Sequence, residues 1–306
     1  MKKDLLSIKD LTSGEIDSIF KLSASLKKNK KKFSKVLSGR SLALIFQKPS
    51  NRTRVSFEVG MYQLGGNSLY LSPAEINIGV RESIKDVAKT ISRYVDGIVL
   101  RTFEHKNCLD MAQAADVPII NGLSDFSHPC QGLADLFTIK EKLRNLKNIT
   151  LAYVGDGNNV CNSLLFAAAK TGMNITVATP KGYAPGQEVV KQAQAFAKET
   201  GSRIIITEDP FRAVKDAHVV YTDVWASMGQ EEEIALRKII FKDFQINAKL
   251  LANAAPLVLV MHCLPAHRGE EITDEVMDSG NSIVFDQAEN RMHVQKAILI
   301  KLLKGV

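Results

Sequence analysis

The chemistry of this 306-residue chain is concentrated in short polar segments, each following an apolar run. Pro49-Ser50-Asn51-Arg52-Thr53-Arg54 leads into a helical pattern carrying Val55 and Val59. Ser50 is of the residue type that caps a helix N-terminus. Arg52 and Arg54 oppose the helix dipole, by about 0.3–1 kcal/mol each. A bound anion removes that conflict, because free backbone N–H groups, hydroxyls and guanidiniums then act together. The alternative is that both arginines turn away to surface carboxylates. Arg101 closes another apolar run, and His128-Pro129-Cys130-Gln131 follows a third. Pro129 suits a first helical position, which turns His128 and Gln131 toward the same crevice as Arg101.

The second half offers amine and carboxylate chemistry. Val154-Gly155-Asp156-Gly157-Asn158-Asn159 imitates the start of a dinucleotide fingerprint, but Val160 stands at the third glycine position. The next strand ends in Ala178-Thr179-Pro180, with no acid for a ribose, so a nicotinamide dehydrogenase is a poor reading. Asn159 instead offers an amide at a helix start, either for a carboxylate or as a plain cap. Asp223 precedes Val224-Trp225-Ala226-Ser227-Met228-Gly229-Gln230, a carboxylate beside a small loop, suited to an ammonium group or to capping a helix. His262-Cys263-Leu264-Pro265 ends a further strand. Successive strand residues point to opposite faces, so His262 and Cys263 make a weak dyad. His262 and His267 lack zincin spacing.

These segments require strands and helices in alternation. Strand candidates cover residues 42–47, 68–71, 97–101, 118–122, 149–155, 175–179, 203–207, 219–223, 257–263 and 283–287. Amphipathic helices separate most of them, with Val55, Val59 and Tyr62 on one face and Leu133, Leu136 and Phe137 on another. Ten buried-looking strands predict two α/β domains, doubly wound, each a mainly parallel sheet flanked by helices. The polar stretch 142–148 marks the boundary. The domains expected are 1–145 and 146–289, with a C-terminal helix 290–306 packing back on the first.

Composition closes other routes. Hydrophobic residues make up 45% and charged residues 24%, as in an ordinary globular chain. The longest apolar stretch, 254–261, is far below the ~20 residues that span a bilayer. Asp4 and Lys9 interrupt the apolar core a signal peptide would need. Four cysteines without CxxC spacing suit a reducing cytoplasm and predict no metal site. The net charge of +7 admits anionic substrates or nucleic acid. Phe33 is the only aromatic among the lysines of 27–35, so the cluster reads as a solvated helix end and no nucleic-acid partner is expected.

Four motifs in order resemble the aspartate/ornithine carbamoyltransferase family over nearly the whole chain. They are Ser50-Asn51-Arg52-Thr53-Arg54, His128-Pro129-Cys130-Gln131, Asp223 through Gly229, and His262-Cys263-Leu264-Pro265. The last two look like the ornithine branch. The resemblance implies carbamoyl transfer from carbamoyl phosphate to L-ornithine, an active site in the cleft between the domains, no cofactor, and a homotrimer or multiple of trimers. It assigns carbamoyl phosphate to the first domain and ornithine to the second. Ser50, Asn51, Arg52, Thr53, Arg101, His128, Pro129, Cys130, Gln131, Cys263, Leu264 and Arg291 then match the carbamoyl phosphate site. Arg101, His128 and Cys263 match its catalytic groups, and Asn159, Asp223, Ser227 and Met228 the amino-acid site. One departure is Asn77, where the family more often has glutamine; another is Val80-Arg81, in place of an arginine–glycine pair. Rival readings are putrescine, aspartate or an acylated ornithine as acceptor, or a non-catalytic anion-binding protein.

Overall fold

The computed structural model describes residues 3–78, 81–226 and 231–304. By internal packing the chain divides into two units, Met1–Ala134 with Asn290–Val306, and Asp135–Glu289. Both divisions fall inside helices, the first upstream of the polar stretch 142–148.

The first unit opens with α1, Ser13–Lys28, which is started by a reciprocal capping box between Thr12 and Glu15. Its strands are β1 (Ser41–Phe46), β2 (Asn67–Leu71), β3 (Gly97–Arg101) and β4 (Ile119–Leu123). All pair in parallel, in the order β2-β1-β3-β4. The helices between and after them are α2 (Asn51–Gln63), α3 (Pro73–Ile76), α4 (Ile84–Ile91), α5 (His105–Ala114) and α6 (Pro129–Leu143). The chain leaves β1 toward β2 on one side and returns to β3 on the other. The crevice where such an order reverses is where open α/β sheets bind ligands. It lies between the ends of β1 and β3, which are followed by Ser50 and closed by Arg101.

The second unit repeats the logic with β5 (Thr150–Val154), β6 (Asn174–Ala178), β7 (Ile204–Thr207), β8 (Val219–Thr222) and β9 (Leu259–His262). Its parallel order is β7-β6-β5-β8-β9, so the reversal lies between β5 and β8. The helices are α7 (Asn159–Thr171), α8 (Gln187–Thr200), α9 (Pro210–Val214), α10 (Ile234–Ile240), α11 (Ala248–Leu251), α12 (Asp274–Met277) and the first turns of α13 (Val284–Lys304). No helix among the described residues is long and apolar enough to cross a membrane.

Two expectations are corrected. Among the described residues there are nine strands, because 284–287 forms the start of α13. An Ile-Val-Phe run suits a buried helix as well as a strand. Here it makes one bridge at Ser282 to Val260, and then Gln287 N–H turns back to Ile283 O. The apolar stripe of α2 also faces outward, with Val55 55%, Val59 37% and Tyr62 80% exposed. Thr53, Phe57, Gly60 and Met61 form its buried face. Leu133, Leu136 and Phe137 are buried as expected.

Gly157 has a packing reason rather than a nucleotide one. A Cβ there would lie 2.3 Å from Pro185 N and 2.6 Å from Tyr183 O, both backbone atoms that cannot step aside cheaply. Gly157→Ala is therefore expected to cost about 1–3 kcal/mol, the range for overpacking. Denaturant unfolding checks this, and an unchanged midpoint would contradict it.

Candidate active site

At the reversal of the first sheet, Ser50 caps α2 by accepting from Thr53 N–H at 3.3 Å. Its hydroxyl also donates to Thr53 Oγ1 at 3.1 Å. Thr53 is fully buried, and two nearly buried guanidiniums converge on its hydroxyl. Arg291 Nη2 lies 2.5 Å from Thr53 Oγ1, and Arg101 Nη1 lies 3.5 Å from it. Arg101 sits at a register shift between β3 and β4, an irregularity of the kind that re-aims a strand-end side chain. Two buried cations around one hydroxyl set up a strongly positive field, complementary to an anion.

His128 completes this group. Burial lowers its pKa well below the ordinary imidazole value, and the charges of Arg291 and Arg101 add to the shift. The ring is therefore neutral at pH 7, able to donate to a developing oxyanion without carrying charge. Its carbonyl receives Gln131 N–H and Gly132 N–H, both at 3.1 Å, which starts α6. The turn before it is shaped by Asn121, whose Nδ2 donates to Leu6 O at 2.9 Å and Ser127 O at 3.3 Å. A polar amide inside the apolar β4 was the available sequence signal for this role. Cys130 is buried and its thiol is pushed up to about 12 by burial, so it is chemically quiet.

At the reversal of the second sheet the charge is negative. Asp223 is 6% exposed and directly follows β8. Its Oδ1 accepts from Val224 N–H at 2.8 Å and from Cys263 Sγ at 3.0 Å, and its Oδ2 accepts from Asn158 Nδ2 at 2.8 Å. Burial, followed by the Asp223 charge, pushes the Cys263 thiol well above its ordinary range. Cys263 is thus a neutral thiol at pH 7. A ring nitrogen of His262 lies within 4.8 Å of the Cys263 sulfur and of an Asp223 carboxylate oxygen, although strand alternation predicts the opposite face. His262 Nδ1 accepts from Leu264 N–H at 2.9 Å, which leaves Nε2 to donate to Glu271 at 3.1 Å.

The sequence of each half matches a family model along its length. Residues 3–141 match the aspartate/ornithine carbamoyltransferase carbamoyl-P binding domain, and residues 147–302 the Asp/Orn binding domain of the same family. The chain belongs to the aspartate/ornithine carbamoyltransferase family. An ornithine carbamoyltransferase of Thermococcus kodakarensis is 53% identical over 306 residues, covering 99% of this chain and 97% of the relative. One from Pyrococcus furiosus, described as anabolic, is 52% identical with the same coverage. The solved Pyrococcus furiosus structure superposes with a TM-score of 0.96 at 52% identity, covering 99% of this chain and 97% of that one. An anabolic ornithine carbamoyltransferase from Campylobacter jejuni gives 0.94 at 38% identity, covering 99% of each chain.

Within this carbamoyltransferase, Ser50, Thr53, Arg101, His128 and Arg291 belong to one cluster. Asn51 and Arg52 are exposed at the start of α2, and Pro129 and Gln131 open α6. Arg54 takes the alternative weighed above: it pairs with Glu58 at 2.9 Å and stacks 3.9 Å over Tyr70. Asp223 and Cys263 touch, with Leu264 next to them. Asn159 is the first residue of α7; the cap is Asn158, which accepts from Val160 N–H and Cys161 N–H. Asn158 therefore does two jobs that sequence reasoning had not separated from its neighbour. Ser227, Met228 and Val80 lie outside the described residues.

Arg237, on α10, was not singled out from the sequence. It is 6% exposed and holds both stems of the segment between Trp225 and Glu233. Its Nη1 donates to Trp225 O at 2.8 Å and meets Asp156 Oδ2 at 3.1 Å, while Nε pairs with Glu233 Oε2 at 2.8 Å. Burial raises Asp156 to about 6, with Arg237 opposing the shift. A carboxyl raised in the folded state contributes stability present below its unfolded value and lost as pH rises through about 6. That difference, near two pH units, is worth about 3 kcal/mol. Asp156→Asn should accordingly flatten the pH dependence of stability between about pH 4 and pH 6 relative to the parent. Urea midpoints across that window check this, and parallel curves would refute it.

Proposed function

We propose that the chain catalyses transfer of the carbamoyl group from carbamoyl phosphate to the side-chain amine of L-ornithine, giving L-citrulline and phosphate, as in arginine biosynthesis. The first unit binds carbamoyl phosphate and the second binds ornithine. The observation that carries the reading is the convergence of Arg101 and Arg291 on Thr53 at the start of α2. A dianionic phosphate leaving group needs that cationic helix entry, with Ser50, Asn51 and Arg52 at its rim. The carbonyl oxygen gathers charge as the amine attacks, and Thr53, Arg101 and neutral His128 donate to it. One well-aimed donor of this kind is worth about 2.7–4 kcal/mol of barrier. Pro129, Cys130, Gln131 and the Cys263–Leu264 backbone hold the carbamoyl group.

Asp223 holds the α-amino group of ornithine, while Asn159, Ser227 and Met228 take the rest of the amino acid. Cys263 lies beside the attacking nitrogen. That nitrogen must arrive as the free base, although an amine of its type has a solution pKa of about 10.4. It bonds to the carbonyl carbon, the carbon–oxygen bond to phosphate breaks, and a proton leaves the amine. No step calls for a metal or organic cofactor.

The enzyme works as a homotrimer or a multiple of trimers in the cytoplasm. The outward stripe of Val55, Val59 and Tyr62 supports self-association, since apolar side chains aligned on one helix face favour a covering partner. Free cysteines support a reducing compartment. Light scattering on the purified chain tests the assembly: a multiple of three is expected, and a monomer at micromolar concentration would overturn it.

Carbamoyl transfer to L-ornithine, putrescine, L-aspartate and N-acetylornithine tests the reaction. Turnover confined to ornithine and rising with pH is expected; another preferred acceptor would discard the ornithine half, and silence with all four would discard catalysis. In the same assay Asp223→Asn should raise the ornithine KM at least tenfold, an effect of about 1.4 kcal/mol. Carbamoyl phosphate KM should stay nearly constant, and equal loss of both would move Asp223 out of the amino-acid site.

A further inference from the structure

Arg101 stands where the first sheet is least regular. Leu100 pairs with Asn121 of β4 but Arg101 pairs with Leu123, so the ladder passes over Gly122 at the residue that carries the guanidinium. Two backbone bonds hold the peptide that follows: Gln47 N–H donates to Arg101 O at 2.8 Å, and Thr102 N–H to Leu123 O at 3.0 Å. Thr102 is fully buried. Its hydroxyl donates to Gln47 Oε1 and accepts from Asn107 Nδ2 at 2.8 Å. Asn107 Nδ2 also donates to Gln47 Oε1 at 3.3 Å, and Gln47 Nε2 donates to Ile78 O at 3.1 Å. The hydroxyl proton, both Asn107 amide protons and one Gln47 amide proton each have an acceptor.

This network ties the residue after β3 to the residue after β1 and to α5. Satisfied polar networks of this kind rigidify the backbone that carries them. Rigidity matters here because a small tilt of the 101–102 peptide is magnified at the far end of the long Arg101 side chain, beside Thr53 Oγ1. Catalytic groups work when their supports hold them to within about 0.5 Å. We propose that Thr102, locked by Gln47 and Asn107, is a positioning residue for Arg101: it fixes the irregular end of β3 and thereby the aim of the guanidinium at the anion. The inference rests on the reading that Arg101 meets carbamoyl phosphate.

Calorimetric titration of the full-length protein with inorganic phosphate, alongside steady-state kinetics, tests this. Thr102→Val keeps the branched shape and loses the hydroxyl. Its phosphate Kd and carbamoyl phosphate KM should rise about tenfold, part of the roughly hundredfold that a 1 Å misplacement can cost, while the ornithine KM stays within about twofold. Thr102→Ser restores the hydroxyl and should return both constants to the parent values. Asn107→Ala, at a half-buried position, removes one bond to the hydroxyl and should move the same two constants in the same direction. It decides alone where Thr102→Val does not fold. Unchanged constants, equal loss of ornithine and carbamoyl phosphate, or no rescue by serine would leave Thr102 a role in stability only and overturn the proposal. The titration needs no turnover, so an inactive parent that binds phosphate would overturn the proposed function, and unmoved phosphate binding by Thr102→Val in an active enzyme would overturn only this inference.

Discussion

The first unit is organised around a like-charge problem. Arg101 and Arg291 come from positions far apart in the chain and bury their guanidiniums at one hydroxyl, that of Thr53. Burial first, and then these two charges, keep His128 neutral. The surroundings then follow: Ser50 must cap α2 so that Thr53 is presented, β3 must shift register at Arg101, and Asn121 must shape the turn before His128. The positive field left at Thr53 is complementary to an anion.

The second unit uses the same parallel-sheet logic with the opposite sign. Its strand order and its glycine-containing turn are those of a nucleotide binder, yet the turn carries Asp156 and Asn158 where phosphates would need backbone room. Gly157 is there because the backbone of 183–185 crosses it. Architecture alone would misdirect a functional reading here, and the side chains at the sheet's reversal correct it. Asp223 is held from three directions, by Val224 N–H, the Cys263 sulfur and the Asn158 amide.

Much of this was legible from residues next to strand ends. Strand-to-helix alternation, the two sheets and the clustering of Ser50, Thr53, Arg101 and His128 follow from local pattern and the rule for parallel sheets. What escaped depended on distance in sequence. Nothing near 283–287 distinguishes a buried strand from a buried helix, since the choice is made by the contacts that α13 finds. The apolar face of α2 points outward because Thr53 and Gly60 take the inward positions, which periodicity cannot rank. Asn158 and Asn159 are neighbours of one type, and only cap geometry separates them. Arg237 looks like any helix arginine until Asp156, 81 residues earlier in the chain, is placed beside it.

The division of the chain has a consequence for how the protein is made. The first unit contains residues from the N-terminal segment, where Leu5 bridges to Ile120, and from α13 beyond Asn290. Val294, Ala297, Ile298 and Leu299 of that helix are buried, and Arg291 completes the cationic cluster. During synthesis the whole second unit therefore leaves the ribosome before the first can close its core. The first unit waits with its helix-facing surface uncovered through more than half of translation, so its early strands must be protected by pairing among themselves. Premature termination before Asn290 would release a chain whose second unit is whole and whose cationic cluster lacks Arg291.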